Sequence, residues 1–190
     1  MAGLITFLAL VVIAIVYVVS LYNGLVRLRE GVKQSLSNIG VLLKQRHDEL
    51  PKLIETCRQY MTYEQETLER VLKARAQVAS AQGAGDVTQL AAAESALRAG
   101  LTKLYAVAEQ YPVLKASEAF MQLQARITGL EEQIADRREL YNESVNLYNT
   151  RQAVFPERVI AGMGDFHPAR LLEFTTEETS DPSVKSLFGG

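Results

Sequence analysis

The sequence is short of the residue types that most often carry disulfides, metal sites and catalysis. It holds one cysteine, two histidines and no tryptophan. One cysteine excludes an internal disulfide, and the apolar helical position of Cys57 predicts a buried thiol that behaves as a small hydrophobic residue. His47 and His167 are few for a zinc site, which needs three or four converging ligands. The composition therefore excludes a disulfide-stabilised domain and disfavours a zinc enzyme.

The chain also lacks a strong net charge and any clear strand pattern. The formal net charge is −2, so electrostatics gives no reason to expect nucleic acid as a partner. No run of alternating β-branched residues is bounded by turn residues. Alanine, leucine, glutamine, glutamate and arginine, which favour helices, dominate the middle of the sequence. These features predict an all-α protein.

No catalytic motif emerges from the polar residues. His47, Asp48 and Glu49 are consecutive, and consecutive helical side chains point in different directions, so they do not converge by themselves. The two Gly-x-Gly pairs lack the lysine or the strand of a phosphate loop. Glu131 and Glu132 are interpreted as part of a solvated helix face. The sequence therefore predicts no catalytic residue, no cofactor and no metal ligand, and we expect a protein that is not an enzyme.

The first apolar run is long enough to cross a bilayer. Leu4–Leu21 carries no charge and matches the length of a membrane-spanning helix. No basic residue precedes it and no good cleavage site follows, so a retained span is favoured over a signal peptide. Arg27, Arg29 and Lys33 follow the span, which predicts a single-pass protein of the bacterial inner membrane with its bundle in the cytoplasm.

The rest of the chain reads as long helices in an antiparallel bundle. Apolar residues recur every three or four positions over 22–81, which predicts one helix. A kink or short break, but no reversal, is expected between His47 and Pro51 because the apolar stripe stays in phase. Gln82–Asp86 predicts a turn with Asp86 as N-cap, and a second helix follows to about Tyr111.

The third helix, beginning near Ser117, has heptads typical of coiled-coil packing. Its first apolar position is occupied every seven residues by Phe120, Ile127, Ile134, Tyr141, Tyr148 and Phe155. Leu123 and Leu130 fill the second position, which then becomes Arg137, Ser144 and Arg151. A short fourth helix is expected through Ala161. The predicted domains are an anchor at 1–21, a bundle at 22–174 and a mobile polar tail at 175–190.

A repeated Tyr-Asn pair is the least ordinary polar feature. Asparagine is unfavourable inside a helix unless its amide finds a partner. We predict an interhelical polar layer that fixes helix register, with a self-association surface or a ligand pocket near the proline as alternatives. Its candidate members are Tyr22, Asn23, Asn38, Arg46, His47, Tyr141, Asn142, Tyr148 and Asn149.

From the span to about Phe166 the chain resembles the LemA family of bacterial proteins. The resemblance is carried by Tyr22–Arg29, Ser37–Leu53, Thr67–Val71, Ala106–Pro112, Arg138–Asn142, Tyr148–Thr150 and Phe155–Pro156. Gly40 stands where the family commonly has an acidic residue, Leu36 where an aromatic is frequent, and Gly164-Asp165-Phe166 where Gly-Phe is usual. The resemblance implies a membrane anchor followed by a bundle of unusually long antiparallel helices, with no known catalytic residues.

Two functions remain open. The first is a non-catalytic scaffold, anchored in the bilayer through residues 4–21, that forms homo-oligomers and organises a patch of bacterial membrane. The second is a membrane-localised adaptor or signalling module whose bundle binds an unidentified partner protein.

Overall fold

The computed structural model of the protein describes residues 1–173. Within these residues the chain forms helices and no strand, so the predicted all-α fold is confirmed. The helices are α1 (Ala2–Arg58), α2 (Gln65–Ala84), α3 (Val87–Ala108), α4 (Pro112–Lys115), α5 (Glu118–Ala153) and α6 (Glu157–Met163). The tail predicted at 175–190, and residue 174 of the predicted bundle, lie outside the described residues.

The chain divides into two compact units, which are described separately. The first unit comprises Met1–Ile39 and Arg137–Leu171. The second unit comprises Gly40–Asp136, and Leu172 also belongs to it.

In the first unit, α1 begins with the apolar run. Among the described helices, α1 alone is long and apolar enough to cross a bilayer. Every residue from 1 to 20 is exposed, so nothing else within residues 1–173 covers this part of the helix. From Leu25 onward α1 buries one face, beginning with Leu25 and Val32.

In the second unit, the predicted single helix over 22–81 is wrong. The chain leaves the helical path after Arg58 and begins α2 at Gln65. Arg75 Nε donates to the His47 carbonyl at 3.0 Å, and Gln82 Nε2 donates to the Gly40 carbonyl at 3.3 Å. Residues later in α2 thus meet residues earlier in α1, which makes α1 and α2 an antiparallel hairpin.

The reversal is stabilised by burial rather than by turn residues. The Cys57 carbonyl accepts hydrogen bonds from the amides of Tyr60 and Met61, at 3.0 and 2.8 Å, and ends α1. Met61 and Leu68 are then buried against the hairpin core. Both arms bury apolar residues at helical spacing, so periodicity alone does not reveal the turn.

Of the kink or short break expected between His47 and Pro51, the break is absent, because the helix continues through Pro51. The kink stays a prediction. Proline has no N–H to donate to the carbonyl four residues earlier, which belongs to His47. The Arg75 side chain from α2 supplies the missing donor to that carbonyl. The carbonyl is therefore satisfied without a break in the helix.

The second predicted turn is confirmed. Gly85 adopts φ 66°, a left-handed conformation that glycine accepts without strain, and closes α2. The Asp86 carboxylate accepts hydrogen bonds from the amides of Thr88 and Gln89 at 2.9 and 3.1 Å and caps α3. α3 ends at Ala108 rather than near Tyr111, and the expected connection from Pro112 contains the one-turn α4.

Along α5, the first heptad position is buried as predicted from Phe120 to Tyr148. Phe155 is an error in that series: α5 ends at Ala153, and Phe155 is 82% exposed. The predicted polar second position is also wrong, because the buried residues are Arg138, Val145 and Gln152. A seven-residue repeat falls short of two full turns of a 3.6-residue helix, and the eight-residue step from Leu130 to Arg138 corrects the drift. The expected fourth helix is present as α6.

Candidate functional site

In the first unit, two residues of the Tyr-Asn pairs dock the segment that follows α6. The Tyr141 hydroxyl donates to the Arg170 carbonyl at 2.7 Å. The Asn149 amide donates to the Ala169 carbonyl and accepts from the Ala169 N–H, both at 2.9 Å. A side-chain amide carries both a donor and an acceptor and can pair with a peptide group in this way. The two side chains thus hold the main chain of 169–170 against α5.

A cluster that we call the aromatic clasp, formed by Tyr22, Arg29 and Phe166, lies just beyond the apolar run of α1. The Tyr22 and Phe166 rings meet edge to face with centroids 5.5 Å apart. The Arg29 guanidinium carbon lies 5.3 Å from the centroid of the Phe166 ring, within range of a cation–π interaction. Arg29 Nη1 also donates to the Asp165 carbonyl at 3.3 Å.

The glycine two residues before Phe166 makes this placement possible. A Cβ atom at Gly164 would lie 2.8 Å from Phe166 Cε2, which is closer than carbon atoms approach in proteins. Asp165, which separates Gly164 from Phe166, therefore contributes to the structure. Its carbonyl accepts a hydrogen bond from Arg29, and the Phe166 ring packs over Gly164.

The remaining candidates of the predicted polar layer differ in their exposure. Asn23 and Asn38 are exposed, and Asn142 is half-buried. Tyr148 is buried, and its hydroxyl has no hydrogen-bond partner among the described residues. Burial raises the pKa of that hydroxyl. The structure thus places Tyr22 in the aromatic clasp, and it places Tyr141 and Asn149 against residues 169–170, in the segment that follows α6. Whether these residues form an interaction surface stays a prediction.

In the second unit, Arg46, a member of the predicted polar layer, lies in a buried ionic cluster whose acidic residues were not identified from the sequence. Its guanidinium donates to the Glu94 carboxylate of α3, and its Nη1 lies 3.9 Å from Glu131 Oε1 of α5. The Tyr105 hydroxyl is buried with no hydrogen-bond partner in the described part of the chain, and burial raises its pKa. Burial also raises the pKa of Glu131, more than the nearby Arg46 lowers it. The cluster joins α1, α3 and α5 through charge.

The solvated face predicted at Glu131 and Glu132 is therefore wrong in part, since only Glu132 is exposed. A sequence signal existed for Glu94, which falls four residues after Leu90 and three before Leu97 on the buried side of α3. A carboxylate on a buried face requires a partner, but nothing in the sequence identifies Arg46 as that partner.

Other polar contacts in the second unit are peripheral to this cluster. Glu49 is nearly buried and lies between Lys52 Nζ, at 3.1 Å, and Arg126 Nη2 of α5, at 3.4 Å. His47 contributes its carbonyl to Arg75, and burial lowers the pKa of its half-buried ring.

The reactive groups in the described part of the chain show no catalytic arrangement. Burial raises the pKa of the Cys57 thiol to about 12, so at neutral pH it stays protonated and unreactive. Within residues 1–173, no group of three or more histidine, cysteine, aspartate or glutamate side chains is placed to hold a metal ion. The described contacts position helices and loops.

Comparison with known proteins identifies relatives. The model of the LemA family matches residues 35–186. Protein LemA of Metamycoplasma hominis is 24% identical over 170 residues, which cover 87% of this chain and 74% of that protein. The magnetosome proteins MamQ 1 and MamQ 2 of Paramagnetospirillum magneticum are each 30% identical over 73 residues, or 38% of this chain. The match spans 27% of each MamQ protein, about a quarter of its length.

Proposed function

The chain belongs to the LemA family, and on that premise we propose that it is a membrane-anchored scaffold whose copies associate through an exposed apolar stripe on α5. The scaffold has no catalytic role, and it organises the patch of bacterial membrane in which its anchors gather.

The anchor is supported by the first part of α1. Its apolar side chains are exposed over the whole length that a bilayer requires, and only lipid removes so large an apolar surface from water without a protein partner. A single-pass membrane protein fits both this helix and the family.

The observation that carries self-association is the stripe formed by Leu140, Leu147 and Val154. Leu140 and Leu147 are seven apart on α5, and Val154, seven residues further, directly follows the end of this helix. They are 47%, 53% and 43% exposed, whereas Tyr141, Val145 and Tyr148 of α5 are buried. A heptad row of exposed apolar residues is the pattern by which helices of separate chains pair. Single exposed leucines are ordinary, and it is the regular seven-residue spacing of the three residues that indicates an interface.

Membrane attachment strengthens a contact of this size. One row of three residues buries too little surface for a stable complex in solution. Chains confined to the same bilayer, however, meet at a raised effective concentration, as linked binding modules do. The two MamQ relatives are magnetosome proteins by name, and membership in a larger assembly is the property that the proposal extends to this chain.

The test is the association state of the full-length chain in mild detergent and in lipid nanodiscs. We expect cross-linking and native mass spectrometry to find oligomers of the wild type. The double variant Leu140→Glu/Leu147→Glu should dissociate, with at least about a tenfold weaker association, because each charge must be desolvated in the interface. The matched control is Val41→Glu/Met121→Glu, which changes two exposed apolar residues of the second unit and should associate as the wild type does.

A strictly monomeric wild type at working concentration would overturn the proposal, as would a double variant that associates normally. If the monomeric wild type instead retains a stoichiometric partner protein, the adaptor function becomes the better explanation.

A further inference from the structure

The junction after α5 exposes apolar side chains to an unusual degree. Phe155 is 82% exposed, Val159 52% and Met163 83%; we call these three residues the interfacial cluster. Val12 and Ile13, in the lipid-facing run of α1, are 58% and 64% exposed. The interfacial cluster thus presents apolar surface as openly as the span does, although it belongs to the part of the first unit that is outside the span.

The contacts of α6 place it beside the end of the apolar run. At its beginning, Glu157 lines a cleft together with Ser20 and Leu21 of α1. Just past its end, the Asp165 carbonyl accepts a hydrogen bond from Arg29. The aromatic clasp fixes the same end against α1. α6 therefore lies alongside the segment of α1 that begins where the apolar run stops.

This level corresponds to the headgroup region of a bilayer. If the hydrocarbon core ends near Leu21, the polar region beyond it is roughly 5–8 Å thick, or about three to five residues of helix at 1.5 Å per residue. Apolar side chains on short helices bury themselves at the boundary between headgroups and acyl chains. Arg27 and Arg158 are exposed in the same part of the unit, where guanidinium groups meet lipid phosphates.

We infer that the junction of α5 and α6 is a second membrane contact, which inserts Phe155, Val159 and Met163 into the surface of the bilayer that surrounds the chain's own span. The inference rests on the proposed membrane attachment through residues 4–21. It goes beyond that attachment because a single span leaves the protein free to rotate about the helix axis. A second contact at one side of the span fixes that rotation and so determines the direction in which the α5 stripe faces.

The experiment measures lipid contact at single positions of the full-length chain in nanodiscs of phosphatidylcholine and phosphatidylglycerol. An environment-sensitive fluorophore is attached to Phe155→Cys, Val159→Cys or Met163→Cys, one at a time. Nitroxide-labelled lipids, carrying the quencher either at the headgroup or deep in the acyl chain, report its depth. The buried Cys57 thiol should take no label, and unmodified wild type serves as the blank.

Two control positions frame the result. Val12→Cys lies in the span and should be quenched mainly by the deep nitroxide. Ser37→Cys is exposed on α1, 16 residues past Leu21, or roughly 24 Å along the helix, and should report water. The three positions of the interfacial cluster should show blue-shifted emission and severalfold stronger quenching by the headgroup nitroxide than Ser37→Cys.

The outcomes separate this inference from the proposed function. Quenching at Val12→Cys without excess quenching at the interfacial cluster overturns the second contact and leaves the anchor intact. A lack of quenching at Val12→Cys overturns the anchor and the second contact together. A blue shift at the cluster that needs two chains per disc and is not accompanied by lipid quenching shows a second copy as the occupant, which also overturns the inference.

Discussion

At the scale of single residues, the most informative contact is the hydrogen bond from Arg75 to the His47 carbonyl. Pro51 leaves that carbonyl without its helical donor, and a side chain from the neighbouring helix replaces it. A proline that normally marks the end of a helix is thereby accommodated inside α1. The effect of Arg75 on stability should therefore depend on Pro51, although the two side chains do not need to be in contact.

This dependence is measurable as a double-mutant cycle. Arg75→Met should lower the free energy of unfolding by about 1–2 kcal/mol, because the His47 carbonyl loses its donor. In a Pro51→Ala background the backbone regains an N–H that donates to this carbonyl, and the same substitution should cost about 1 kcal/mol less. Urea unfolding of the full-length chain in mild detergent, followed by circular dichroism, gives both values. Lys73→Met, an exposed position on α2, is the control, and equal costs in both backgrounds would contradict the mechanism.

Residue chemistry also explains which local features the sequence predicts. The turn at Gly85 and Asp86 is predictable because a left-handed glycine and a capping carboxylate act on their immediate neighbours. The reversal between Arg58 and Gln65 contains no glycine or proline, the residues that usually mark a turn in a sequence, and it buries Met61. The exposed Phe155 fits the heptad in spacing, and only the end of α5 removes it from the core.

At the scale of elements, the buried ionic cluster ties three helices of the second unit together. Arg46 is almost wholly removed from water, so its charge depends on Glu94 and Glu131. Buried ion pairs add little net stability compared with apolar packing, but removing one partner is costly. The sequence predicted that Arg46 takes part in a polar layer but could not identify α3 and α5 as its partners, because pairing between helices is set by the fold.

The two carboxylates should respond differently to substitution. Glu94→Gln should cost about 3 kcal/mol at neutral pH, since it leaves the Arg46 charge without its hydrogen-bonded counter-ion. Glu131→Gln should cost less, because burial already raises the pKa of Glu131 and so disfavours its charged form. Unfolding curves of the two variants at pH 7 give the comparison, and a larger cost at Glu131 would contradict it.

The pH dependence follows from the direction of that shift. Protonated Glu131 stabilises the fold fully below its pKa in the unfolded chain, near 4.5, and this contribution is lost as the pH rises through the higher folded-state pKa. Glutamine does not ionise, so Glu131→Gln should gain stability relative to wild type as the pH rises above about 4.5. Unfolding curves of both chains across this range check the sign. A variant whose free energy of unfolding falls relative to wild type as the pH rises would contradict it.

At the scale of the whole molecule, the charges beyond the span predict its orientation. Arg27, Arg29 and Lys33 all follow the apolar run, and no basic residue precedes it. Basic residues next to a span remain on the cytoplasmic side. The soluble part of the chain should therefore face the cytoplasm, which stays a prediction.

Cysteine accessibility in spheroplasts tests this orientation. A membrane-impermeant maleimide should label Ser37→Cys only after the membrane is permeabilised, whereas the control Gly3→Cys, on the other side of the span, should react in intact spheroplasts. The reverse pattern would place the bundle outside the cytoplasm and would contradict the charge rule for this protein.

The two hydrogen bonds between Asn149 and Ala169 determine which substitutions the protein tolerates at these positions. The asparagine recognises the peptide group of residue 169 and is indifferent to its side chain. Most replacements at that position therefore preserve the docking, and proline is the exception because it has no amide hydrogen. We expect position 169 to tolerate many side chains. Position 149 should tolerate none but asparagine, because its amide both donates to and accepts from the main chain of residue 169.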